Sequence, residues 1–440
     1  MLTRLSYGVY RRSSSVMYRF QRRFTRAGIL VVCSALLAAG LGVDLDQSLA
    51  YQLFSLLFVL LLVALVSAAW FRGRFEIQRT VPRLASAGQE LAYSVRVQNL
   101  TRKPQPGLTL LEDIADGRLT LEQFKAISNA PANRSFRQAR LPSGRRAVVT
   151  PQAIPALPAG GSTTVSMRVR PLRRGPLRLV GATIARTDPF GLVRAFAKVP
   201  SAPDTSIVLP RRYPLRPVAL PGTLKYQQGG VALASSVGES EEFVSLREYR
   251  RGDPMRHIHW KSWARVGKPI IKEFQDEFFV RHALILDTFA TANEHELFEE
   301  AVSVAASFAC TIGTQESLLD LMFVGPQAFC FTSGRGLGQT EQLLEVLAAV
   351  EICTDKGFGT LETLVLQHMS GVSGCVCILL AWDEPRQKLV QMLRALGMPL
   401  LVLVLVKPGS EAPEAGPMAD EPGSFHVVEM GKVGEALQRL

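Results

Sequence analysis

Cysteine is scarce, six residues in 440, and none of the six falls at zinc-ligand spacing. Cys375 and Cys377 form only a C-x-C inside an apolar run, while Cys33, Cys310, Cys330 and Cys353 are scattered. The pattern is that of small hydrophobes packed in a reducing compartment. A phosphate-binding loop is also lacking, because Gly334-Arg335-Gly336-Leu337-Gly338 has no Gly-Lys-Ser/Thr ending. This removes support for ATP hydrolysis. His257 and His259 are an H-x-H pair with no cysteine cluster beside them, and neighbours so spaced face different directions on a helix. There is no internal repeat. Acid is absent from the first 26 residues, which hold seven arginines, and the whole chain carries a formal charge of +12. Such a balance asks for an anionic neighbour, either a membrane surface or a nucleic acid.

Long apolar runs are present and decide between those two. Residues 27–43 (AGILVVCSALLAAGLGV) and 48–70 (SLAYQLFSLLFVLLLVALVSAAW) are uncharged and close to the ~20 residues that cross a bilayer. Only Asp44, Leu45, Asp46 and Gln47 separate them, which predicts a tight transmembrane hairpin. Arginines before the first run, and Arg72, Arg74, Arg79 and Arg83 after the second, place both flanks in the cytoplasm. The expectation is a two-pass protein of a bacterial cytoplasmic (inner) membrane, with its N-terminus and its later domains cytoplasmic. The second run is too long for a signal-peptide core.

Past the hairpin the period changes to two. Tyr93, Val95 and Val97 alternate with Ser94, Arg96 and Gln98, and Val165, Met167 and Val169 alternate with Ser166, Arg168 and Arg170. Half-buried antiparallel strands follow, and with the turn-rich passage at 131–161 they predict a small β-sandwich over 71–209. Residues 210–242, rich in Pro, Gly, Ser and Ala, read as a linker. From 282 to 440 apolar strands alternate with helical segments, which predicts a doubly wound, mostly parallel α/β sheet. The fold class is therefore multidomain: a basic tail over 1–26, a membrane hairpin over 27–70, a β-sandwich, a linker, a basic element over 243–281 and an α/β domain.

That basic element is the most unusual stretch. Residues 243–277 (FVSLREYRRGDPMRHIHWKSWARVGKPIIKEFQDE) hold eight Arg and Lys and two of the four tryptophans. Gly252-Asp253-Pro254 predicts a turn with Asp253 as N-cap, Pro254 as first helical residue and Gly267 as stop. Trp260, Trp263 and Ile258 are expected to pack onto the α/β domain. Arg247, Tyr249, Arg250, Arg251, Gly252, Asp253, Arg256, His259, Trp260, Lys261 and Arg265 are the candidate partner-binding residues. An acidic protein surface, an anionic lipid headgroup or a phosphodiester could each meet such cations, but a protein tethered to the cytoplasmic membrane rarely meets nucleic acid.

Ligands of doubly wound sheets gather at the carboxyl ends of the strands. Asp287 follows HALIL, Asp383 follows CVCILLAW, and Thr360 follows Gly357-Phe358-Gly359. Two carboxylates and a hydroxyl there suit a hard divalent ion such as Mg²⁺, and with it a metal-dependent hydrolase or nuclease built on Asp287 and Asp383. Without the metal, such Asp residues are helix caps.

Two N-terminal spans, residues 187–192 (TDPFGL) and residues 246–274 (LREYRRGDPMRHIHWKSWARVGKPIIKEF) together resemble the bacterial domain-of-unknown-function family 58. The resemblance implies a membrane-anchored protein with a von Willebrand factor A-like domain, working with a MoxR-type AAA ATPase and a transglutaminase-like membrane protein. It implies an adaptor or scaffold in assembly or maturation of envelope or metalloprotein complexes, without a required cofactor and without a catalytic set. In von Willebrand A domains a D-x-S-x-S loop holds the metal. Here Asp287-Thr288-Phe289-Ala290-Thr291 stands in its place, leaving Asp287, Thr291, Thr360 and Asp383 as a partial set.

Overall fold

The computed structural model describes residues 22–41, 48–115, 146–215, 241–253, 255–276, 281–291, 294–313, 318–334, 337–369 and 371–440, with isolated positions before residue 22. Most of the basic tail, the 44–47 connection, residues 131–145 of the turn-rich passage, residues 216–240 of the linker and Pro254 lie outside them. Two compact units divide the chain, Met1–Leu209 and Pro210–Leu440.

The first unit opens with helices α1 (Arg26–Leu41) and α2 (Ser48–Ala69), which pack on each other. Residues Leu49–Ala69 are long and apolar enough to cross a membrane, and only 6% of that stretch is buried by protein. At 1.5 Å per residue α2 reaches about 33 Å, against a hydrocarbon core of ~30 Å. By the same rule α1, with 16 residues, reaches about 24 Å. The first apolar run is described as far as Leu41, and its residues 42 and 43 lie outside the described residues.

Strands β1 (Phe75–Thr80), β2 (Leu84–Ser86), β3 (Leu91–Asn99), β4 (Leu108–Ile114), β5 (Ala147–Thr150), β6 (Gln152–Ile154), β7 (Ser162–Pro171), β8 (Gly175–Thr187), β9 (Arg194–Val199) and β10 (Asp204–Leu209) follow. One sheet runs β1-β3-β7-β5 and the other β2-β10-β8-β4-β6, with β9 paired to β8. Alternation drives the packing: Tyr93, Val95, Val97, Val165, Met167 and Val169 face Leu108, Leu110, Leu177, Leu179 and Ile184 in one core. Glu112 is buried in this unit, with Arg79 Nη2 2.9 Å from its Oε1 and the Tyr93 hydroxyl donating to Oε2 at 2.8 Å. Burial pushes the Glu112 carboxyl up to about 7, against the pull of Arg79 and Tyr93.

The second unit begins with an antiparallel ribbon, β11 (Glu241–Glu248) and β12 (Ile270–Asp276), enclosing the short helix α3 (Trp260–Val266). Its sheet contains β13 (Arg281–Leu286), β14 (Leu318–Val324), β15 (Ala328–Ser333), β16 (Gly374–Leu379), β17 (Leu400–Val406) and β18 (Phe425–Glu429), in the order β15-β14-β13-β16-β17-β18. All pairs are parallel except β14 with β15. Helix α4 (His295–Gly313) packs against β13, β14, β16 and β17, and α5 (Leu337–Ala349) against α4. Helices α6 (Gly359–His368) and α7 (Glu384–Ala395) share a core with the alternate side chains Ala283, Ile285, Cys375, Cys377, Val402 and Val404. The near-continuous apolar strands are what burial on both faces requires. A short α8 (Val433–Leu437) closes the unit. Strand order reverses between β13 and β16, and such a switch point opens a crevice beyond the strand ends.

Candidate functional site

Asp287 is the residue after β13 and stands at that switch point. Its N–H donates to Ile378 O of β16 (2.9 Å), and its side chain is fully buried. Oδ1 accepts from Phe289 N (2.9 Å), while Oδ2 accepts from Leu380 N (3.0 Å) and from Arg386 Nε (2.6 Å). Asp383 caps α7, with Oδ1 accepting from Arg386 N (3.3 Å) and Oδ2 from Arg386 Nη1 (2.6 Å). The third nitrogen, Nη2, donates to Phe289 O (3.0 Å), and the guanidinium lies 4.9 Å from the centre of the Phe358 ring. One arginine therefore ties the β13 loop to the head of α7.

The electrostatics follow from this enclosure. Burial pushes the Asp287 carboxyl above its ordinary value, against the Arg386 guanidinium and the N–H groups of Leu380 and Phe289. Burial also disfavours charge on Arg386, but the Asp287 and Asp383 carboxylates outweigh it and hold its pKa above the usual guanidinium value.

A divalent cation needs six or more oxygen ligands around an open centre. Here the inner oxygens of both carboxylates are directed at Arg386, which fills the space between them. Thr291 turns to Glu294, its N and Oγ1 each 2.9 Å from Oε2. Thr360, in the first turn of α6, donates its N–H to Gly357 O (3.0 Å), and among the described residues its hydroxyl has no hydrogen-bond partner. Of the predicted set, Asp287 and Asp383 come together, but around a guanidinium. The residues do not fit a metal. Among the described residues no group of three or more His, Cys, Asp or Glu could hold one.

Arg386 was the residue that sequence reasoning missed. The signal was weak: a cation in the first turn of a helix opposes the helix dipole by only about 0.3–1 kcal/mol, and an arginine three residues after a capping aspartate is as much at home in solvent as in a buried pair.

The basic element builds differently from its expected form. Asp253 does not cap the helix, because both its oxygens are engaged. Oδ2 accepts from Arg250 N (2.7 Å) and Arg247 Nη1 (2.7 Å), and Oδ1 from Arg247 Nη2 (2.8 Å). Bonding to Arg247 and to the Arg250 N–H holds this carboxyl down to about 2. Gly252, at φ 110, makes the turn possible. A 3₁₀ turn over Met255–His257 follows, and the α-helix starts only at Trp260, with His259 Nδ1 2.7 Å from Ser262 Oγ. Gly267 ends it as predicted, with φ 73 and its N–H on Trp263 O.

Ile258 is buried and bridges Ile271. The tryptophans are not: α3 has no buried residue, and Trp260 is 64% exposed, stacked on Trp263 with ring centres 5.2 Å apart. Three residues apart on a helix, they share one side, while Ile258, Ile270 and Ile271 already supply the buried face. Arg247 is tied to Asp253, Lys268 lies 3.2 Å from Glu248, and Arg256 Nε donates to His257 Nε2 (3.1 Å). Arg250, Arg251, Lys261 and Arg265 are exposed and make no ion pair among the described residues.

Comparison with known proteins matches residues 245–372 to the family described as "Protein of unknown function DUF58". The uncharacterized protein YeaD of Bacillus subtilis (strain 168) is 26% identical over 191 residues, which cover 42% of this chain and 46% of that protein. The chain thus spans less than half the length of this relative. Among solved structures, the CARDB domain of PF1109 from Pyrococcus furiosus aligns with 29% of this chain and 93% of its own at 12% identity, with a TM-score of 0.15. A cohesin module from a Clostridium perfringens glycoside hydrolase aligns with 31% of this chain and 98% of its own at 7% identity, also with a TM-score of 0.15. Likenesses at that score carry no argument.

Proposed function

We propose that this chain is a membrane-anchored adaptor that captures an acidic protein partner on the cationic tryptophan face of its β11–β12 ribbon. One observation supports the reading above others: a stacked tryptophan pair, with Trp260 exposed and Trp263 half-buried, is bracketed in the sequence by the exposed Arg250, Arg251, Lys261 and Arg265, none of which makes an ion pair among the described residues. Tryptophan and arginine are the residue types that dominate interface energetics, and unpaired cations steer and orient an acidic surface. The anchor is the α1–α2 pair, crossing twice with both flanks cytoplasmic by their arginines. The switched, mostly parallel sheet is read as a von Willebrand A-like domain, and the resemblance noted above makes a MoxR-type AAA ATPase the partner to seek. A metal-dependent hydrolase has no comparable support, since its two carboxylates are joined by Arg386.

The test is affinity capture of the full-length protein from membranes. Wild type should retain a MoxR-type ATPase, and a variant with Arg250, Arg251, Lys261 and Arg265 changed to Glu should lose it. Equal recovery by the two would overturn the assigned surface.

A further inference from the structure

The TDPFGL motif at Thr187–Leu192 plays no part in either site above, yet its geometry is unusual. It forms the turn between β8 and β9, organised by the buried Asp188. Asp188 Oδ1 accepts from Leu192 N (2.7 Å) and Val193 N (2.6 Å), and Oδ2 accepts from Phe190 N (2.9 Å). Asp188 N donates to Val193 O (2.9 Å), and Gly191 N to Asp188 O (3.0 Å). Pro189 has no N–H to satisfy, and Gly191 adopts φ 72. Every backbone N–H from 188 to 193 is therefore bonded within the turn.

The residues leading into helix α1 supply further partners. Thr25 N donates to Leu192 O (3.0 Å), Thr25 Oγ1 donates to Gly191 O (2.6 Å), and Phe24 bridges Val193. Gly28 comes so close that a Cβ there would stand 2.1 Å from Leu192 O. On the other side Leu192, Val193 and Ala195 bury Ala64 and Ala68 of α2. Ala64 precedes the end of that helix by five residues, which at 1.5 Å each is about 8 Å of depth. The turn thus reaches alongside the last turn and a half of the membrane-length helix and is level with the first turn of α1.

We infer that this turn is a wedge seated in the interfacial layer of an anionic bilayer, with Phe190 as its lipid-facing anchor. The inference rests on the reading that α2 crosses a membrane. Where water is excluded, backbone polar groups must be satisfied internally, and this turn meets that condition for all its N–H groups. Phe190 is 52% exposed at its tip, and Trp70, at the end of α2, is 81% exposed, as aromatic residues at the membrane boundary are. Arg23, Arg26, Arg72 and Arg74 flank the same helix ends, exposed and without ion-pair partners among the described residues. Anionic headgroups are the complement to that ring of charge.

The experiment places the photo-crosslinking residue p-benzoylphenylalanine at position 190 of the full-length protein, reconstituted in vesicles of mixed phosphatidylcholine and phosphatidylglycerol. The same probe at Phe58, exposed on α2, and at Val180, exposed on β8, gives the reference positions. Position 190 should crosslink phospholipid as position 58 does, several-fold more than position 180. Gly28→Leu should push the turn away and lower the yield at 190 while leaving 58 unchanged. Lipid crosslinking at 58 but not at 190 overturns the wedge and leaves the membrane span standing. Crosslinking at neither position overturns both.

Discussion

Removing the guanidinium from the strand-end site is the sharpest perturbation the structure offers. In Arg386→Gln the carboxylate of Asp287, none of whose side chain reaches solvent, loses its charge partner, and Asp383 loses the contact to its Oδ2. Taking one member from a buried ion pair costs about 3–5 kcal/mol, most of it from the uncompensated charge left behind. For a unit the size of Pro210–Leu440, roughly 2–4 °C per kcal/mol makes this a fall in Tm of about 6–20 °C. Arg386→Lys should fall between, since an ammonium cannot span Asp287, Asp383 and Phe289 O together. Adding Asp287→Asn to Arg386→Gln should cost less than the two single changes summed, because the orphaned charge is gone. Calorimetry of the full-length protein reads all four, repeated with millimolar Mg²⁺. Wild type should not respond to the ion, whereas Arg386→Gln, with two carboxylates released, should rise as ligand linkage requires. A wild-type Tm that climbs with Mg²⁺ and stops doing so in Asp383→Asn would refute the assignment. So would Arg386→Gln melting with wild type.

Two further outcomes follow. Glu112 is raised to about 7 in the folded state from an ordinary 4.5, so the first unit holds its contribution below about pH 4.5 and loses it as pH rises through 7. The loss is on the order of 3 kcal/mol; denaturant midpoints between pH 5 and 8 should record that decline in wild type and lose it in Glu112→Gln, and an unchanged slope in the variant would assign the dependence elsewhere. Trp260→Ala, on an exposed side chain, should alter stability by less than about 0.5 kcal/mol yet weaken partner capture; a large drop in Tm would make Trp260 a packing residue instead.

How much of this was legible depends on the distance between the residues concerned. Alternation over Leu91–Asn99 specified a strand with the burial pattern it has, because each side chain's face is set by the residue's own parity. Gly267 was readable as a helix stop for the same local reason, its left-handed φ. The start of that helix was not, since the Asp253 carboxyl is claimed by Arg247 and the Arg250 N–H before it can serve a helix. Asp287 and Asp383 were legible as strand-end carboxylates. Their relation to Arg386 was not, because that bond closes across 99 residues and depends on β16 lying beside β13. Trp260 was expected to pack onto the α/β domain, but it is 64% exposed, and in this short helix over a ribbon the buried face is supplied by Ile258, Ile270 and Ile271.

A divalent ion is borrowed from solution, and its presence tracks supply, competition and chelators. The guanidinium between Asp287 and Asp383 is bonded into the chain and arrives with translation. Its occupancy has no concentration dependence. A metal would also offer an open position to an incoming carboxylate, whereas two aspartates and one arginine leave a net charge of −1, with half of the Asp383 side chain still facing solvent. No positive charge is left over in this crevice for an incoming acid, whereas Arg250, Arg251, Lys261 and Arg265 on the ribbon are exposed and make no ion pair among the described residues.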